Sequence, residues 1–357
     1  MNAADSHDSA APARTLVTGA TGLLGSNIVT ALLARGAKEV VALVRDAAKA
    51  RKLLPSDPRL TLVIGDINDV DSFRDELPGT DAVIHTAAYF REYYQPDPDV
   101  NLLHRTNVTA VGNLLAAAHR AGVPVVVHTS STGTLSAGPA GAPADEQTPP
   151  AHDVERSAYR ASKVRSEAVV REFCAKHHGL RVPIVLPGWM WGPGDAAPTS
   201  AGRLFLSIAG GTLPAVPKAG NHVVDARDVA EACVTASISG VSLRRYIVGG
   251  SRHDVADIAA RVAELTGAKA PRPVPIGLAM AVAGGMELVA KVTGREPVAN
   301  RKSVDVLRST GYPITSARAE HELGVRFRPL HETLADTASW YRERGLLPAS
   351  ATTQTRK

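Results

Sequence analysis

The sequence predicts an α/β fold, in which a doubly wound parallel sheet is followed by a smaller, mostly helical C-terminal lobe. Three observations support this prediction. Short apolar runs alternate with amphipathic stretches in the first half, the runs are rich in Val, Ile and Leu throughout, and Pro and Gly become frequent after residue 187. Such runs suit strands buried on both faces, and β-α alternation favours parallel strands joined by right-handed helical crossovers.

The pattern predicts the elements in order. Strands are expected at residues 15–18, 40–44, 61–64, 82–85, 125–129 and 182–186, with a seventh at 246–248. Helices are expected at residues 23–35, 102–121 and 158–177, and in the lobe at 201–210, 227–239, 255–266, 276–292, 315–323 and 330–344. The sheet domain then covers residues 14–186. The lobe covers 187–347 and is partly interleaved with the sheet through the strand at 246–248. Residues 1–13 and 348–357 are expected to be disordered.

Composition argues against several classes of partner. The net charge of the 357 residues is +5, but Lys and Arg are scattered, which argues against a nucleic-acid partner. Cys174 and Cys233 lie far apart without ligand spacing, which argues against a disulfide scaffold and a metal site. The apolar stretch at 276–290 contains Glu287 and is shorter than the ~20 residues that span a membrane. Without a membrane segment or a signal-peptide pattern, we expect a cytoplasmic protein.

Three glycines, Gly19, Gly22 and Gly25, follow the first strand and begin the first helix in TGATGLLG. The first permits a tight turn, and the second lets backbone N–H groups approach a pyrophosphate at the positive end of the helix. The third lets the helix pack close to the strand. The spacing differs from GxGxxG by one residue in the turn. This strand-turn-helix context predicts a Rossmann-type dinucleotide site, and the alternative is a glycine-rich turn without a ligand.

The end of the second strand should distinguish NADP from NAD. A residue about 20 positions after the last glycine would contact the adenosine ribose, with Arg favouring a 2′-phosphate and an acid favouring the free hydroxyl. That position is Arg45, in ALVRD, which favours NADP. Asp46 follows, and a shift of one residue would exchange their roles. Alternatively, Arg45 is only a solvated strand end.

Tyr159 and Lys163 lie four residues apart in SAYRASKVRSE, which places them on one helix face. The segment follows the fifth predicted strand, which ends in hydroxyl residues at positions 129–132. Ligands of parallel sheets bind at the carboxyl ends of strands, so we expect the pair beside a nicotinamide. A nearby ammonium would lower the pKa of the phenol, which could exchange a proton with a carbonyl oxygen. Glu167 and Arg171 repeat the spacing and are assigned to the solvated face.

Nine segments occur in an order that is typical of one family. They are TGATGLLG (18–25), VRD (44–46), GDIND (65–69), HTAA (85–88), TNVTAVGNLL (106–115), HTSST (128–132), YRASK (159–163), LPGWMWGPGD (186–195) and VVDARDVAEA (223–232). From about residue 15 to 340 the chain resembles an extended short-chain dehydrogenase/reductase. Within that group it resembles the NAD-dependent epimerase/dehydratase family, in the dihydroflavonol-reductase-like branch.

This resemblance implies roles for the matching residues. Ser131 would orient a carbonyl group and Tyr159 would act as general acid/base. Lys163 would bind the nicotinamide ribose and lower the pKa of the tyrosine, while Asn107 would support a proton-relay water. The alternatives are that Ser130 replaces Ser131 if the strand end shifts, and that Asn107 only caps or braces a helix.

The resemblance also implies a lining for the cofactor. Asp66 and Ile67 would border the adenine, Ala87 would line the cofactor and Pro187 would approach the carboxamide. The further implied contacts are Thr21, Leu23, Leu24, Thr86 and Ala88. Relatives often pair through a two-helix face, here 102–121 with 158–177, so a homodimer is expected.

Departures from the family pattern narrow the range of possible reactions. Ser131 is followed by Thr-Gly at 132–133, where sugar-nucleotide dehydratases usually place an acidic pair, so dehydration is disfavoured. Asn-His at 221–222 stands where epimerases commonly carry an arginine for the diphosphate. Arg203 and Lys218 would still supply charge, so the epimerase remains an alternative.

Two aromatic segments stand out in a chain that is 4% aromatic. One contains Tyr89, Phe90, Tyr93 and Tyr94, and the other contains Trp189, Met190 and Trp191. Each either covers ordinary core or lines a pocket suited to a flat or hydrophobic carbonyl compound. We expect an NADPH-dependent reductase, or reverse dehydrogenase, of an aldehyde or ketone. The alternatives are an NAD(P)-dependent sugar-nucleotide epimerase and a non-catalytic NADP-binding regulatory protein.

Overall fold

The computed structural model of the chain describes residues 10–90, 93, 98–293 and 301–348. Its strands are β1 Arg14–Thr18, β2 Glu39–Val44, β3 Leu60–Ile64, β4 Ala82–His85, β5 Val126–Thr129, β6 Ile184–Pro187, β7 Trp189–Trp191, β8 Ala215–Pro217, β9 Gly220–Asp225, β10 Arg245–Val248, β11 Ser251–Asp254 and β12 Arg272–Val274. Its helices are α1 Leu23–Ala34, α2 Ala47–Leu53, α3 Val100–His104, α4 Ala110–Arg120, α5 Ala158–Lys176, α6 Ser200–Ala209, α7 Ala226–Ser239, α8 Val255–Thr266, α9 Ile276–Thr293, α10 Arg301–Thr310, α11 Ala317–Leu323 and α12 Leu330–Glu343. A π-helical turn, Arg105–Thr109, joins α3 to α4.

The main sheet contains seven parallel strands in the order β10-β6-β5-β4-β1-β2-β3. All seven strands predicted from the apolar runs are present, and the predicted doubly wound Rossmann-type sheet is confirmed. The strand order reverses between β1 and β4, whose carboxyl ends lie side by side. A crevice at such a switch point is where doubly wound sheets bind ligands.

Helices cover both faces of the sheet because alternate strand residues point to opposite sides. Val17 of β1 packs with Ile28 of α1 and Val229 of α7 in one core cluster, whereas Leu16 packs with Leu114 of α4 in another. Helix α7 lies in the predicted lobe by sequence but covers the main sheet. The interleaving of lobe and sheet is therefore greater than the single strand predicted at 246–248.

The rest of the lobe has a core of its own. Strands β11, β9 and β7 form a three-stranded sheet, and β12 pairs with β8. Trp191 of β7 packs there with Phe205 of α6, Ile258 of α8 and Leu334 of α12. The sequence pattern did not predict these five short strands, nor helices α2 and α10.

Two expectations from the sequence are wrong in detail. Strand β3 is not buried on both faces: Ile64 is 66% exposed, because β3 is the edge strand of the sheet. The predicted disordered lead-in includes Ala11, which is buried in the core and donates its N–H to the carbonyl of Arg35 at 3.1 Å. Residues 1–9 and 349–357 lie outside the described part of the chain.

The helices of the described ranges are too short or too polar to span a bilayer.

Candidate functional site

The glycine turn has the close approaches that the sequence predicts. Gly19 adopts a φ of +71°, and a Cβ there would lie 2.7 Å from the backbone nitrogen of Ala87. A Cβ on Gly25 would lie 2.2 Å from the carbonyl oxygen of Gly19. The turn is closed by a hydrogen bond from the Gly22 N–H to the Gly19 carbonyl at 2.9 Å. A side chain at position 19 or 25 would therefore displace the backbone of the turn.

The glycine turn places the N-terminus of α1, which no side chain caps, at the switch point between β1 and β4. Gly22 is the N-cap of the 12-residue helix α1, no side chain caps it, and the first turn carries no acidic residue. Thr21 is half-buried on the turn, and Leu23 and Leu24 begin the helix as buried residues. A glycine cradle at the positive end of a helix fits the pyrophosphate of a dinucleotide.

Strand β4 ends directly beside this turn. Thr86 Oγ1 donates to the carbonyl of Thr18 at 2.7 Å, and the Ala87 N–H approaches Thr18 Oγ1 at 3.3 Å. Thr86, Ala87 and Ala88 are half-buried in the loop that continues towards the active-site helix. The structure thus places Thr86 and Ala87 against the glycine turn, with Ala88 as the next residue of the loop.

At the end of β2, the side chains of Arg45 and Asp46 have different environments. Asp46 is the N-cap of α2, and its Oδ1 accepts the Lys49 N–H at 3.0 Å. The side chain of Arg45 is exposed and makes no hydrogen bond or ion pair with the described residues. At the end of β3, Asp66 Oδ1 accepts the Asn68 N–H at 2.9 Å, and Ile67 is buried.

Ser131, and not Ser130, has its hydroxyl next to Tyr159. Ser130 Oγ donates to Glu167 Oε1 at 2.5 Å, away from the phenol. The Ser131 hydroxyl lies close enough to Tyr159 to lower the pKa of the phenol, and Ser131 Oγ accepts the Gly133 N–H at 3.1 Å. Of the two serines, the one that the resemblance assigned therefore faces the phenol.

Lys163 is buried below Tyr159. Its Nζ donates to the carbonyl of Thr129 at 2.9 Å and lies 6.0 Å from the centroid of the Tyr159 ring. Burial lowers the pKa of Lys163 to about 8, and the carboxylate of Glu167 opposes this shift. The ammonium is anchored to the end of β5, beneath the switch point.

The expected lowering of the pKa of Tyr159 is wrong for this structure. Burial raises the pKa of the phenol, and the neighbouring Ser131 hydroxyl offsets only part of the rise. The reason is that desolvation penalises the phenolate, while the nearby ammonium is directed to the Thr129 carbonyl. Tyr159 is therefore a neutral phenol at physiological pH, which is the form that donates a proton.

Part of the first aromatic segment covers Tyr159. The rings of Phe90 and Tyr93 lie 4.9 and 6.2 Å from the Tyr159 ring, and Tyr89 packs in the same cluster with Leu103. Tyr93 Oη is 3.4 Å from the Oγ of Ser157, the N-cap of α5. Tyr89, Phe90 and Tyr93 therefore lie in one cluster with Tyr159. Tyr94, the fourth aromatic residue of the predicted segment, lies outside the described residues.

The second aromatic segment is mostly core, and the pocket assignment of Trp191 is wrong. Trp191 is 1% exposed and packs inside the lobe, because β7 pairs with β9 and directs this side chain inward. Met190 packs against the cluster that contains α1 and α7, which does not bring it to Tyr159. Trp189 is half-buried, and its Nε1 donates to Ser200 Oγ at 3.3 Å. Pro187 ends β6, and its carbonyl accepts Thr132 Oγ1 at 3.1 Å.

Asn107 braces the aromatic segment rather than facing open space. Its Oδ1 accepts the Tyr89 N–H at 2.7 Å, and its Nδ2 donates to the Tyr89 carbonyl at 3.3 Å and to Ser162 Oγ at 3.0 Å. The side chain is 2% exposed and sits in the π-helical turn. These contacts support the alternative, bracing role for Asn107.

Glu167 was assigned to solvent by the sequence pattern, and that assignment is wrong. Its side chain is buried between α5 and the sheet, where it accepts Ser130 Oγ and lies 3.2 Å from Arg245 Nε. The spacing of four from Lys163 was the signal, because it places Glu167 on the same sheet-facing side of the helix. Two buried histidines, His85 and His128, also stack near Lys163 and were given no role from the sequence.

Comparison with known proteins agrees with this geometry. The family model described as "NAD dependent epimerase/dehydratase family" matches residues 15–249. The chain is 34% identical over 336 residues to sterol demethylase protein B of Methylococcus capsulatus, covering 93% of this chain and 99% of that protein. It is 32% identical over 336 residues to a Synechocystis protein that carries the name dihydroflavonol 4-reductase, covering 92% and 94%.

A solved structure shows the same architecture. The dTDP-glucose 4,6-dehydratase DesIV of Streptomyces venezuelae, solved with NAD bound, is 26% identical. The two chains align with a TM-score of 0.75 over 94% of this chain and 99% of that one. With the glycine cradle, the switch point and the Ser-Tyr-Lys set, these matches assign the chain. It belongs to the NAD-dependent epimerase/dehydratase family of extended short-chain dehydrogenases/reductases and is an oxidoreductase.

Proposed function

We propose that this protein is an NADPH-dependent reductase, or in reverse a dehydrogenase, that acts on an apolar aldehyde or ketone. The observation that carries the proposal is that the Ser131 hydroxyl lies beside the Tyr159 phenol, with Phe90 packed on the phenol ring. Two hydroxyl donors on one side of an apolar cover match what a carbonyl oxygen needs when negative charge develops on it.

The chain's own residues account for the proton chemistry. When bound, the nicotinamide supplies the hydride for reduction and accepts it in oxidation. Tyr159 Oη gives its proton to the substrate oxygen, and Ser131 Oγ donates a hydrogen bond to the same oxygen. Lys163 keeps a positive charge beneath the phenol and stabilises the phenolate that remains. The raised pKa of Tyr159 keeps the phenol protonated before the transfer, and the positive charge of Lys163 compensates for the weaker acidity that burial gives it.

The preference for NADP rests on Arg45. Its guanidinium is exposed at the carboxyl end of β2, while Asp46 is engaged in capping α2. A solvated arginine at this place suits a 2′-phosphate, whereas the acid that would hold a ribose hydroxyl is already occupied.

The proposed substrate is apolar because of what surrounds Tyr159. Phe90, Tyr93, Leu103 and Val306 contribute carbon surface around the phenol. Relatives named for a sterol and a dihydroflavonol support a flat, ring-containing carbonyl or alcohol compound.

A substrate panel with the Tyr159→Phe variant tests the proposal. Apolar ketones and aldehydes are incubated with NADPH or NADH, and consumption is followed at about 340 nm, the absorbance band of the reduced nicotinamide. We expect turnover by the wild type with NADPH, and a loss of about 10³-fold or more in kcat for Tyr159→Phe with NADPH binding retained. Tyr246→Phe is the matched control, because Tyr246 belongs to β10 and its Oη accepts the Val241 N–H at 3.0 Å. Full activity of Tyr159→Phe would refute the mechanism.

A sugar-nucleotide epimerase is the second candidate, because the solved dehydratase has the same fold. An epimerase would convert UDP- or dTDP-sugars without net consumption of NADPH. His222 bears against this candidate, because its Nε2 accepts the backbone N–H of Ile314 instead of presenting a cation. Binding of NADPH without turnover of any carbonyl or nucleotide sugar would instead identify a binding-only protein.

A further inference from the structure

Four side chains form a closed ring of hydrogen bonds and one ion pair behind the active-site serines. Ser130 Oγ donates to Glu167 Oε1 at 2.5 Å, and Glu167 Oε2 lies 3.2 Å from Arg245 Nε. Arg245 Nη2 donates to Thr134 Oγ1 at 3.0 Å, and Thr134 Oγ1 donates to the carbonyl of Ser131 at 2.8 Å. The peptide bond between the two serines closes the ring.

The ring is buried and joins three separate parts of the fold. Glu167 belongs to α5, Arg245 to β10, and the serines and Thr134 to the segment after β5. Glu167 and Ser130 are each 3% exposed, and Thr134 is 1% exposed. Arg245 Nη1 also donates to the carbonyl of Glu146 at 3.1 Å, so its guanidinium is held from two sides.

We infer that Glu167 and Arg245 are positioning residues: their ion pair closes the ring that fixes the backbone of Ser131 while its hydroxyl faces Tyr159. This inference rests on the proposed function, because positioning has a consequence only if Ser131 orients a substrate oxygen. The ring holds Ser131 at its carbonyl and Ser130 at its hydroxyl, so the ion pair contributes to the placement of Ser131, whose Oγ also accepts the Gly133 N–H. Small displacements of such a group reduce rates strongly.

Glu167 has a second connection to the site, through Lys163 on the preceding turn of α5. The groups that face Lys163 are Tyr159 and Glu167 on its own helix, His85 on β4 and His128 on β5. The two histidines are neutral because burial lowers their pKa values. The carboxylate of Glu167 therefore favours the protonated form of Lys163.

Two variants distinguish the effect of breaking the ring from the effect of removing the charge of Glu167. Glu167→Gln keeps the shape of the side chain and removes its charge, whereas Thr134→Val breaks the ring at the Ser131 carbonyl and leaves the ion pair. We expect kcat to fall about tenfold to a hundredfold in each, with KM changed by less than about threefold. The alkaline limb of the pH profile should move to lower pH in Glu167→Gln only. The double variant should lose less than the product of the two single losses, because both act through one ring.

Glu172→Gln is the matched control, since Glu172 lies on the same helix in an exposed ion pair with Lys176. It should retain kcat and the pH profile. The melting temperature and NADPH affinity of every variant are measured first. If Thr134→Val and Glu167→Gln are folded, bind NADPH and keep kcat within about twofold of wild type, the inference is overturned. If Glu167→Gln does not fold, Thr134→Val decides by the same criterion.

A measurement without turnover separates this inference from the proposed function. The pKa of Lys163 can be followed by NMR with ε-¹³C-lysine, the resonance being assigned by its absence in Lys163→Met. It should be lower in Glu167→Gln than in wild type or Glu172→Gln, and an unchanged value would refute the link to Lys163. Absence of reductase activity in wild type across the substrate panel would refute the proposed function while leaving this titration interpretable.

Discussion

The rings of Phe90 and Tyr159 meet edge to face, with their centroids 4.9 Å apart. This contact encloses the phenol on the side where Tyr93 and Leu103 also pack. It covers one side of the ring that we propose as the proton donor, and it contributes the apolar surface that a hydrophobic substrate would meet.

Replacement of Phe90 by Ala should therefore discriminate between substrates. We expect kcat/KM for a bulky apolar ketone to fall about tenfold to a hundredfold, because aromatic contact surface is lost. A small hydrophilic aldehyde should be affected much less. Steady-state kinetics with both substrates measure the difference. Phe327→Ala is the control, because Phe327 packs against the sheet-side core of α1 and α7. Equal losses for both substrates would contradict a role of Phe90 in the pocket.

Substitution of Gly25 by Ala should disrupt the dinucleotide turn. The new Cβ would lie 2.2 Å from the Gly19 carbonyl oxygen, so the helix and the turn must separate. We expect a destabilisation of about 1–3 kcal/mol, as for other overpacked sites, together with loss of NADPH binding. Thermal melting and fluorescence titration with NADPH measure the two effects. Gly277→Ala in α9 has open space around its Cβ and should change neither.

Removal of the Arg45 side chain should affect cofactor binding, whereas removal of the Asp46 side chain should affect stability. Arg45→Ala should raise the KM for NADPH about tenfold to a hundredfold and leave that for NADH nearly unchanged, because a charged hydrogen bond to the 2′-phosphate is lost. Asp46→Ala should lower stability by about 1 kcal/mol through loss of the α2 cap, without changing cofactor preference. Parallel kinetics with both cofactors decide this. A switch of preference in Asp46→Ala, and not in Arg45→Ala, would show that NAD is the cofactor.

His85 should make the protein acid-sensitive. Its pKa is lowered to about 3 by burial and by the charge of Lys163. Between pH 6.5 and that value the unfolded state binds a proton that the folded state does not, so stability falls as pH falls. At pH 5 the loss attributable to His85 is about 2 kcal/mol. Urea unfolding at pH 7 and pH 5 should show a smaller decrease in His85→Asn than in wild type. His152→Asn, at an exposed position, should show the wild-type decrease.

The sequence predicts the sheet well and the surroundings of the site less well. Periodicity locates the seven strands, since a continuous apolar run is a local property of a buried strand. The three short strands of the β7 sheet and the β8–β12 pair escape it, because their residues are only partly apolar and their pairing is settled by long-range contacts. Tyr159 and Lys163 are recognised from their spacing and their place after β5.

Spacing in the sequence does not determine whether a side chain points to the interior or to solvent. Glu167 follows Lys163 at the same interval as Lys163 follows Tyr159, yet a carboxylate at that position is usually solvated. Its burial depends on Arg245, which is distant in sequence and reaches it only once β10 joins the sheet. Trp191 shows the reverse case, because aromatic composition alone does not distinguish a pocket wall from the interior of the lobe.

The π-helical turn at Arg105–Thr109 has a consequence for the tolerance of this helix to length changes. Such a turn accommodates one residue more than a regular α-helix, so α3 and α4 are out of phase by about 100°, the rotation of one residue. Deleting a single residue there would restore regular winding and swing the Asn107 amide away from Tyr89 and Ser162. The aromatic segment would lose its tether, although every residue that contacts Tyr159 would still be present in the chain.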